Sequence, residues 1–487
     1  MELTSWQFAA FSIATILVYH LSRKARWHAG VLSVANIAFI ASHLHAPLQA
    51  LALVVMLVLG YGSMIVVRRW HHASVMGVCI ALVVLSFLYL KRYAFMGALP
   101  TLPFVYLLLG LSYILFRIIH LIVDTASGDI EERVTMWDYF NYTCNYLTFI
   151  SGPIQRFQSW HEDANPPRAL EAADVDAGMS RVIWGYFKIL AVSAMANALF
   201  LKLSPALIES GAHPAAAAAT MRYVVTATVY TVFLYYNFSG FIDVVIGFGR
   251  LFGMRLPENF NRPFVAANFL DFWGRWHMTL SNWFRDYMFN PLLRALMARF
   301  ENPKLAPAFG VIGFFVTFAV MGIWHGSTSV FVAYGLAMGL GASVNKLYQL
   351  FMVARLGRKR YRELCGARAY VYLCRGLTFA YFTMGVTALW VNFDQLAQLG
   401  RELGVAGALA AYVALSALGA CAFAAADLAQ SAAKRVLPVV SPAMSPAAPT
   451  RGSRPLAAAL ALAAVLLLTL ATNTLFSQPP EFVYRAF

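Results

Sequence analysis

The sequence predicts an all-α, polytopic integral membrane protein, and three observations carry that class. Of its 487 residues, 60% are hydrophobic and only 12% charged, whereas a soluble globular chain is nearer half apolar and a quarter charged. The apolar residues gather in blocks long enough to cross a bilayer core, which takes about 20 residues of helix. The basic residues cluster at the ends of those blocks: "SRKAR" (22–26), "VRRW" (67–70), "LKRY" (90–93), "RLGRKRYR" (355–362) and "AKR" (433–435). The net charge of +15 is therefore read as helix ends seated at anionic headgroups, and no nucleic-acid partner is expected.

Along the chain the candidate spans are about 5–22, 30–42, 47–67, 74–90, 101–123, 181–201, 217–236, 308–324, 329–351, 369–391, 403–427 and 455–475. That makes about 11–12 transmembrane helices, with 238–252 as a further short or re-entrant piece. The first block has no basic flank before it and "SRKAR" after it, the reverse of a cleavable signal. It reads as a membrane helix with its N-terminus outside. Residues 431–454 are rich in Pro, Ala and Ser and read as a flexible loop. The five cysteines are scattered with no CxxC, so they read as packing residues rather than a disulfide framework. No internal repeat and no HExxH or compact metal-ligand spacing is present, and no metal site is expected. "GFGRLFG" (247–253) has loosely nucleotide-loop glycine spacing, but no strand precedes it; small-residue helix packing is the better reading.

Two stretches, 124–168 and 253–304, are too polar to be spans and unusually rich in aromatic, Arg, Asp and Asn residues. Within the second, "DFWGRWHMTLSNWFRDY" (271–287) forms an amphipathic pattern at 3.6 residues per turn. Trp273, Trp276, His277, Leu280, Trp283, Phe284 and Tyr287 share one face. Arg275, Asn282 and Asp286 take the other, with Arg285 at its edge. Such a segment belongs at the interface or dips into the bundle where protein shields it. A second histidine, His325, ends the apolar run "VIGFFVTFAVMGIWHG" (311–326). Each of the two has two readings: a core histidine satisfied by a backbone carbonyl, or an ionisable group lining a functional cavity, as intramembrane ionisable groups tend to do. Gly322 and Gly326 are expected to open room beside the His325 imidazole. The residues alone leave both readings open.

"FWGRWHMTLSNWFRDY" (272–287) followed by "GIWHG" (322–326) resembles the membrane-bound O-acyltransferase (MBOAT) superfamily. "LGLSYILFRIIHLIVD" (109–124), "ISGPIQRF" (150–157) and "FSGFIDVVIGFGRLFGMRLPENFNRPF" (238–264) resemble its bacterial surface-glycan branch, that of alginate O-acetylases and teichoic-acid D-alanyl transferases. The resemblance implies a helical bundle with re-entrant or interfacial helices around a central tunnel. It implies four regions: N-terminal transmembrane helices (1–100), an MBOAT catalytic core (101–352), C-terminal transmembrane helices (353–476) and a tail (477–487). The tail "PPEFVYRAF" is similar to the C-terminal F-x-Y-x-x-F motif of small membrane partners in D-alanylation systems, with Tyr484 in the acyl-carrying place. The alternative for the tail is a set of aromatic interface anchors.

What the resemblance implies is transfer of an acyl group, acetyl or D-alanyl, from a cytoplasmic thioester for O-acylation of a cell-surface or exported polysaccharide. His325 would be the base and His277 would orient or stabilise the tetrahedral intermediate. Trp324, Trp276, Arg275, Asn282, Arg285, Asp286, Ser239, Asp243, Gln155 and Arg156 would support them, although Arg275 and Arg285 are equally suited to ion pairs with Asp271 or Asp286. No bound cofactor is expected; the donor would be acetyl-CoA or an acyl carrier protein. Expected partners are that donor, an extracytoplasmic acyltransferase, the glycan acceptor and the lipid bilayer, with the protein multi-pass in a bacterial inner membrane. The alternatives are a transporter or flippase for a glycan intermediate and a non-catalytic scaffold of a glycan-export complex.

Overall fold

The computed structural model describes residues 5–44, 46–91, 93, 110–164, 170–208, 216–326 and 328–436. Among them there is no strand. Seven helices are long and apolar enough to cross a membrane: Pro47–Arg69, Ala73–Lys91, Ala172–Leu203, Ala217–Leu251, Pro303–His325, Ser329–Gly366 and Phe393–Ala432. The all-α polytopic class is what the chain shows. The expected span 455–475, residues 437–454 of the expected loop, and the tail with Tyr484 lie outside the described residues.

Three expectations about elements change. Residues 217–236 and 238–252 are one helix, Ala216–Leu251, so 238–252 is not a separate re-entrant piece. Its Ser239-Gly240 pair sits inside the helix and serves packing rather than a break. The last long helix runs to Val436, so the first residues of the expected 431–454 loop are helical. The segment 271–287 is not one helix. It is two short ones, Phe269–Trp273 and Met278–Phe284, followed by a π-turn at Arg285–Phe289.

The chain divides into two compact units, and the helix Ala216–Leu251 contributes its residues from Phe238 onward to the first. In the first unit, Arg117 is 1% exposed on helix Leu111–Ser127. A buried guanidinium is tolerable only when its donors are satisfied, and here they are. Nη1 donates to the carbonyls of Tyr142 and Thr143, and Nη2 to the Thr148 carbonyl at 2.8 Å and to its hydroxyl. This ties the 142–148 backbone to the helix. Small residues let two helices meet closely: a Cβ on Gly185 would lie 2.7 Å from the Gly240 carbonyl, and one on Gly247 2.8 Å from the Gly178 carbonyl. Gly247 thus packs a helix crossing, as membrane bundles commonly do with small residues.

The second unit holds the long helices Pro303–His325, Ser329–Gly366 and Phe393–Ala432. Helix Ala306–His325 packs on Ser329–Gly366, and Arg368–Gly385 on Phe393–Val436. Where the first pair crosses, a Cβ on Gly322 would meet the Gly335 Cα at 2.5 Å. Gly357 leaves the helical region (φ 76°, ψ 158°), so Ser329–Gly366 is kinked there. An L side chain rarely adopts that φ.

Because the Gly185–Gly240 crossing is backbone on backbone, an added methyl has nowhere to go. Gly185→Ala is expected to destabilise by about 1–3 kcal/mol through overpacking, despite alanine's better helix propensity. Gly30→Ala, whose Cβ would meet nothing within 4 Å, is expected to be neutral or slightly stabilising. Unfolding midpoints in detergent check the opposite signs.

Candidate active site

His277 sits between the two short helices. It adopts the left-handed conformation, φ 44° and ψ 53°, as the N-cap of Met278–Phe284. Histidine is among the non-glycine residues enriched there. The break frees backbone donors that an apolar bundle must satisfy internally, and Asn259 supplies the acceptors. Its carbonyl accepts from the Met278 N–H at 2.9 Å. Its side-chain Oδ1 accepts from the Thr279 N–H at 3.1 Å and from the Thr279 hydroxyl at 2.7 Å. The Asn261 N–H donates to the Arg275 carbonyl at 2.9 Å, so "NFN" (259–261) lies along the turn. Trp276 is 2% exposed and packs against Phe260, Phe272 and Phe382, with ring centroids 5.1, 5.6 and 4.8 Å away.

The helix break does not scramble the faces read from the wheel. Trp273, Trp276, His277, Leu280, Trp283 and Phe284 are all buried, while on the polar side Asn282 and Arg285 are exposed and Arg275 and Asp286 half-buried. Tyr287 is half-buried, out of line with the others, because the π-turn resets the phase after Phe284.

His325 ends helix Ala306–His325 and is 3% exposed. Its ring meets Trp324 at 4.7 Å and the edge of Tyr334 at 5.4 Å. The glycines beside it do not open room. A Cβ on Gly326 would strike the Phe331 ring at 2.1 Å, and one on Gly322 the Phe331 carbonyl at 2.5 Å. They let the next helix press onto the imidazole, so the His325 surroundings are close-packed and aromatic. His277 and His325 lie near enough for charge on one to be felt by the other. Burial, and next the repulsion of a charged His325, push the His277 pKa well below its usual range. A neutral imidazole can accept a proton at one nitrogen and donate a hydrogen bond from the other.

Within the second unit the structure brings His277, His325 and Trp324 together. It turns the other polar residues elsewhere. Arg275 Nε donates to Asp271 at 2.9 Å, one helical turn away. Arg285 Nε donates to Asp286 at 3.0 Å. In the first unit, Asp243 accepts from Arg181 Nε at 2.9 Å and from Lys188 Nζ at 2.5 Å, and Arg181 also grips Glu258. The Ser239 hydroxyl is buried without a hydrogen-bond partner among the described residues. The Gln155 carbonyl accepts from the Tyr142 hydroxyl at 2.7 Å. Arg156 Nη1 lies 3.4 Å from His120 Nδ1, and His120 Nε2 accepts from the Phe157 N–H at 2.8 Å. Asn259, Phe331 and Tyr334 were not among the residues singled out from the sequence. None of the three carried a signal there: Asn259 stands among Arg255, Glu258, Asn261 and Arg262, and the other two are aromatic residues in an apolar helix.

These features define a multi-pass helical membrane protein with two buried histidines in one unit. The model of the MBOAT, membrane-bound O-acyltransferase family, matches residues 125–386, more than half of the chain and both histidines with it: the protein belongs to that family. It is similar to teichoic acid D-alanyltransferase of Bacillus subtilis (strain 168), 30% identical over 230 residues, which are 47% of this chain and 56% of that one. The Streptococcus thermophilus protein of the same name is 29% identical over 242 residues, 49% of this chain and 56% of that one. Probable alginate O-acetylase AlgI of Pseudomonas aeruginosa is 26% identical over 242 residues, 49% of this chain and 42% of that one. The chain spans about half the length of the curated relatives it matches.

A histidine whose folded pKa is depressed contributes no penalty above its unfolded value. As pH falls below that value, about 6.5, the unfolded chain takes up a proton that the folded site refuses, and stability falls. His277→Asn keeps a residue at ease in the left-handed region and removes the titration. Its unfolding midpoint in detergent is expected to drop less than that of the unsubstituted protein between about pH 7.5 and about pH 5.5.

Proposed function

We propose that the protein is an O-acyltransferase of the bacterial inner membrane. It takes an acyl group, acetyl or D-alanyl, from a cytoplasmic thioester, acetyl-CoA or an acyl carrier protein. It delivers that group for O-acylation of a cell-surface or exported polysaccharide. The observation that carries the reading is the burial of two histidines, His277 and His325, in one unit and inside the segment matched by the family. The names of the relatives, D-alanyltransferase and O-acetylase, support the two acyl groups as candidates.

In this reading His325 takes the proton of the attacking hydroxyl, whose oxygen bonds to the thioester carbon. The C–S bond breaks and the proton leaves on the thiol. His277, kept neutral, presents an N–H to the oxygen that carries negative charge in between. The close aromatic packing of Trp324, Phe331 and Tyr334 keeps water from competing for the acyl group. The hydroxyl is that of Tyr484, which then passes the acyl group to an extracytoplasmic acyltransferase and so to the glycan. A phenol with a pKa near 10 needs such a base.

His325→Ala is expected to lower surface acyl ester by about 10²–10⁴-fold in a chain that still folds, with a midpoint lowered by the cavity left behind; undiminished acylation would remove His325 as the base. Tyr484→Phe is expected to abolish surface acylation, and intact-mass analysis of the C-terminal peptide should find an adduct on Tyr484 that is absent from His325→Ala. The adduct mass separates acetyl from D-alanyl. Normal glycan acylation in Tyr484→Phe would exclude the relay and leave direct transfer.

A further inference from the structure

Away from both histidines, a cleft of about 490 Å³ opens in the second unit between helices Ser329–Gly366 and Arg368–Gly385. This is the size of a site for a small organic ligand. Its walls are apolar and outward-facing: Leu340 is 55% exposed, Val344 54% and Leu373 53%. In a membrane such a wall contacts lipid chains. Near the turn that joins the two helices the lining changes character. Tyr348, Tyr361 and Tyr370 border the cleft, and the hydroxyls of Tyr348 and Tyr370 are 2.9 Å apart.

The sequence at that end is "RLGRKRYR" (355–362). The kink at Gly357 starts a new helical segment, and on it positions 358, 361, 362 and 365 fall on one face. Tyr361 and Cys365 border the cleft, and Arg358 and Arg362 share their helical face just beyond the lining. Both are exposed, and neither has an ion-pair partner among the described residues. Basic pockets between membrane helices suit anionic headgroups, and juxtamembrane cations attract them over short range.

We propose that this cleft seats one anionic phospholipid. Its acyl chain lies along Leu340, Val344 and Leu373, and its phosphate rests between Arg358 and Arg362 beside the Tyr361 hydroxyl. The site does not depend on the acyl-transfer reading. A zwitterionic lipid would fill the apolar wall equally well but leave the two guanidinium groups without a net anion, so charge sets the selectivity.

The test uses the full chain in detergent with a phosphatidylglycerol that carries a photoreactive diazirine in its acyl chain, followed by peptide mapping. Labelling is expected to concentrate on the peptides holding Leu340–Val344 and Leu373. Unlabelled phosphatidylglycerol should compete far better than phosphatidylcholine. In the double variant Arg358→Gln, Arg362→Gln, phosphatidylglycerol is expected to compete about thirtyfold less well. Arg358→Lys, Arg362→Lys should retain most of the effect, and Val344→Trp should block labelling with the charges intact. An unchanged unfolding midpoint in each variant separates loss of the site from loss of the fold. Equal competition by phosphatidylcholine, labelling spread over all lipid-facing helices, or protection of the cleft by a second copy of the chain would each overturn the proposal.

Discussion

The clamp of Asn259 on the turn at His277 is the interaction on which the candidate site depends. A helix that breaks inside an apolar bundle leaves backbone N–H groups with no water to receive them, and each unsatisfied group there costs several kcal/mol. One asparagine answers three donors: the Met278 N–H, the Thr279 N–H and the Thr279 hydroxyl. With those satisfied, His277 can occupy the left-handed region and point a rigidly placed imidazole into the bundle. Trp276, wedged among three phenylalanine rings, fixes the other side of the same turn.

The second constraint is close approach. Glycines at 322, 326 and 335 bring two helices near enough that Phe331 fills the space at Gly322 and Gly326 and Tyr334 meets the His325 ring. The resulting surroundings are close-packed and aromatic, which strengthens any electrostatic interaction made there. The same glycine device recurs at 178, 185, 240 and 247, where it does nothing chemical. Gly-rich spacing in a membrane helix therefore says that something comes close; what comes close is a property of the neighbour.

Charge is handled in two ways. Groups inside the bundle are paired or wired to carbonyls, as with Asp243 between Arg181 and Lys188, or Arg117 and the carbonyls of Tyr142, Thr143 and Thr148. Groups at the helix ends, such as Arg358 and Arg362, are left exposed. Arg275 and Arg285 follow the first rule on a small scale, each bound to a nearby aspartate, which removes them from the histidine face.

The sequence by itself determined the membrane class, the presence of most long helices, the buried face of 271–287 and the two histidines as the residues to follow. These rest on local quantities: hydropathy over a helix length, the 3.6-residue period, and the rarity of an ionisable side chain in an apolar run. Tertiary structure alone decided that 271–287 breaks at His277, that 217–252 is one helix, and that the glycines around His325 close its surroundings rather than open them. The break depends on a residue distant in sequence, Asn259, and the closed space at the glycines on Phe331 of the next helix. A helical wheel assigns faces, but it carries no record of which donor finds an acceptor or which backbone comes within reach, and those two facts set the geometry of the site.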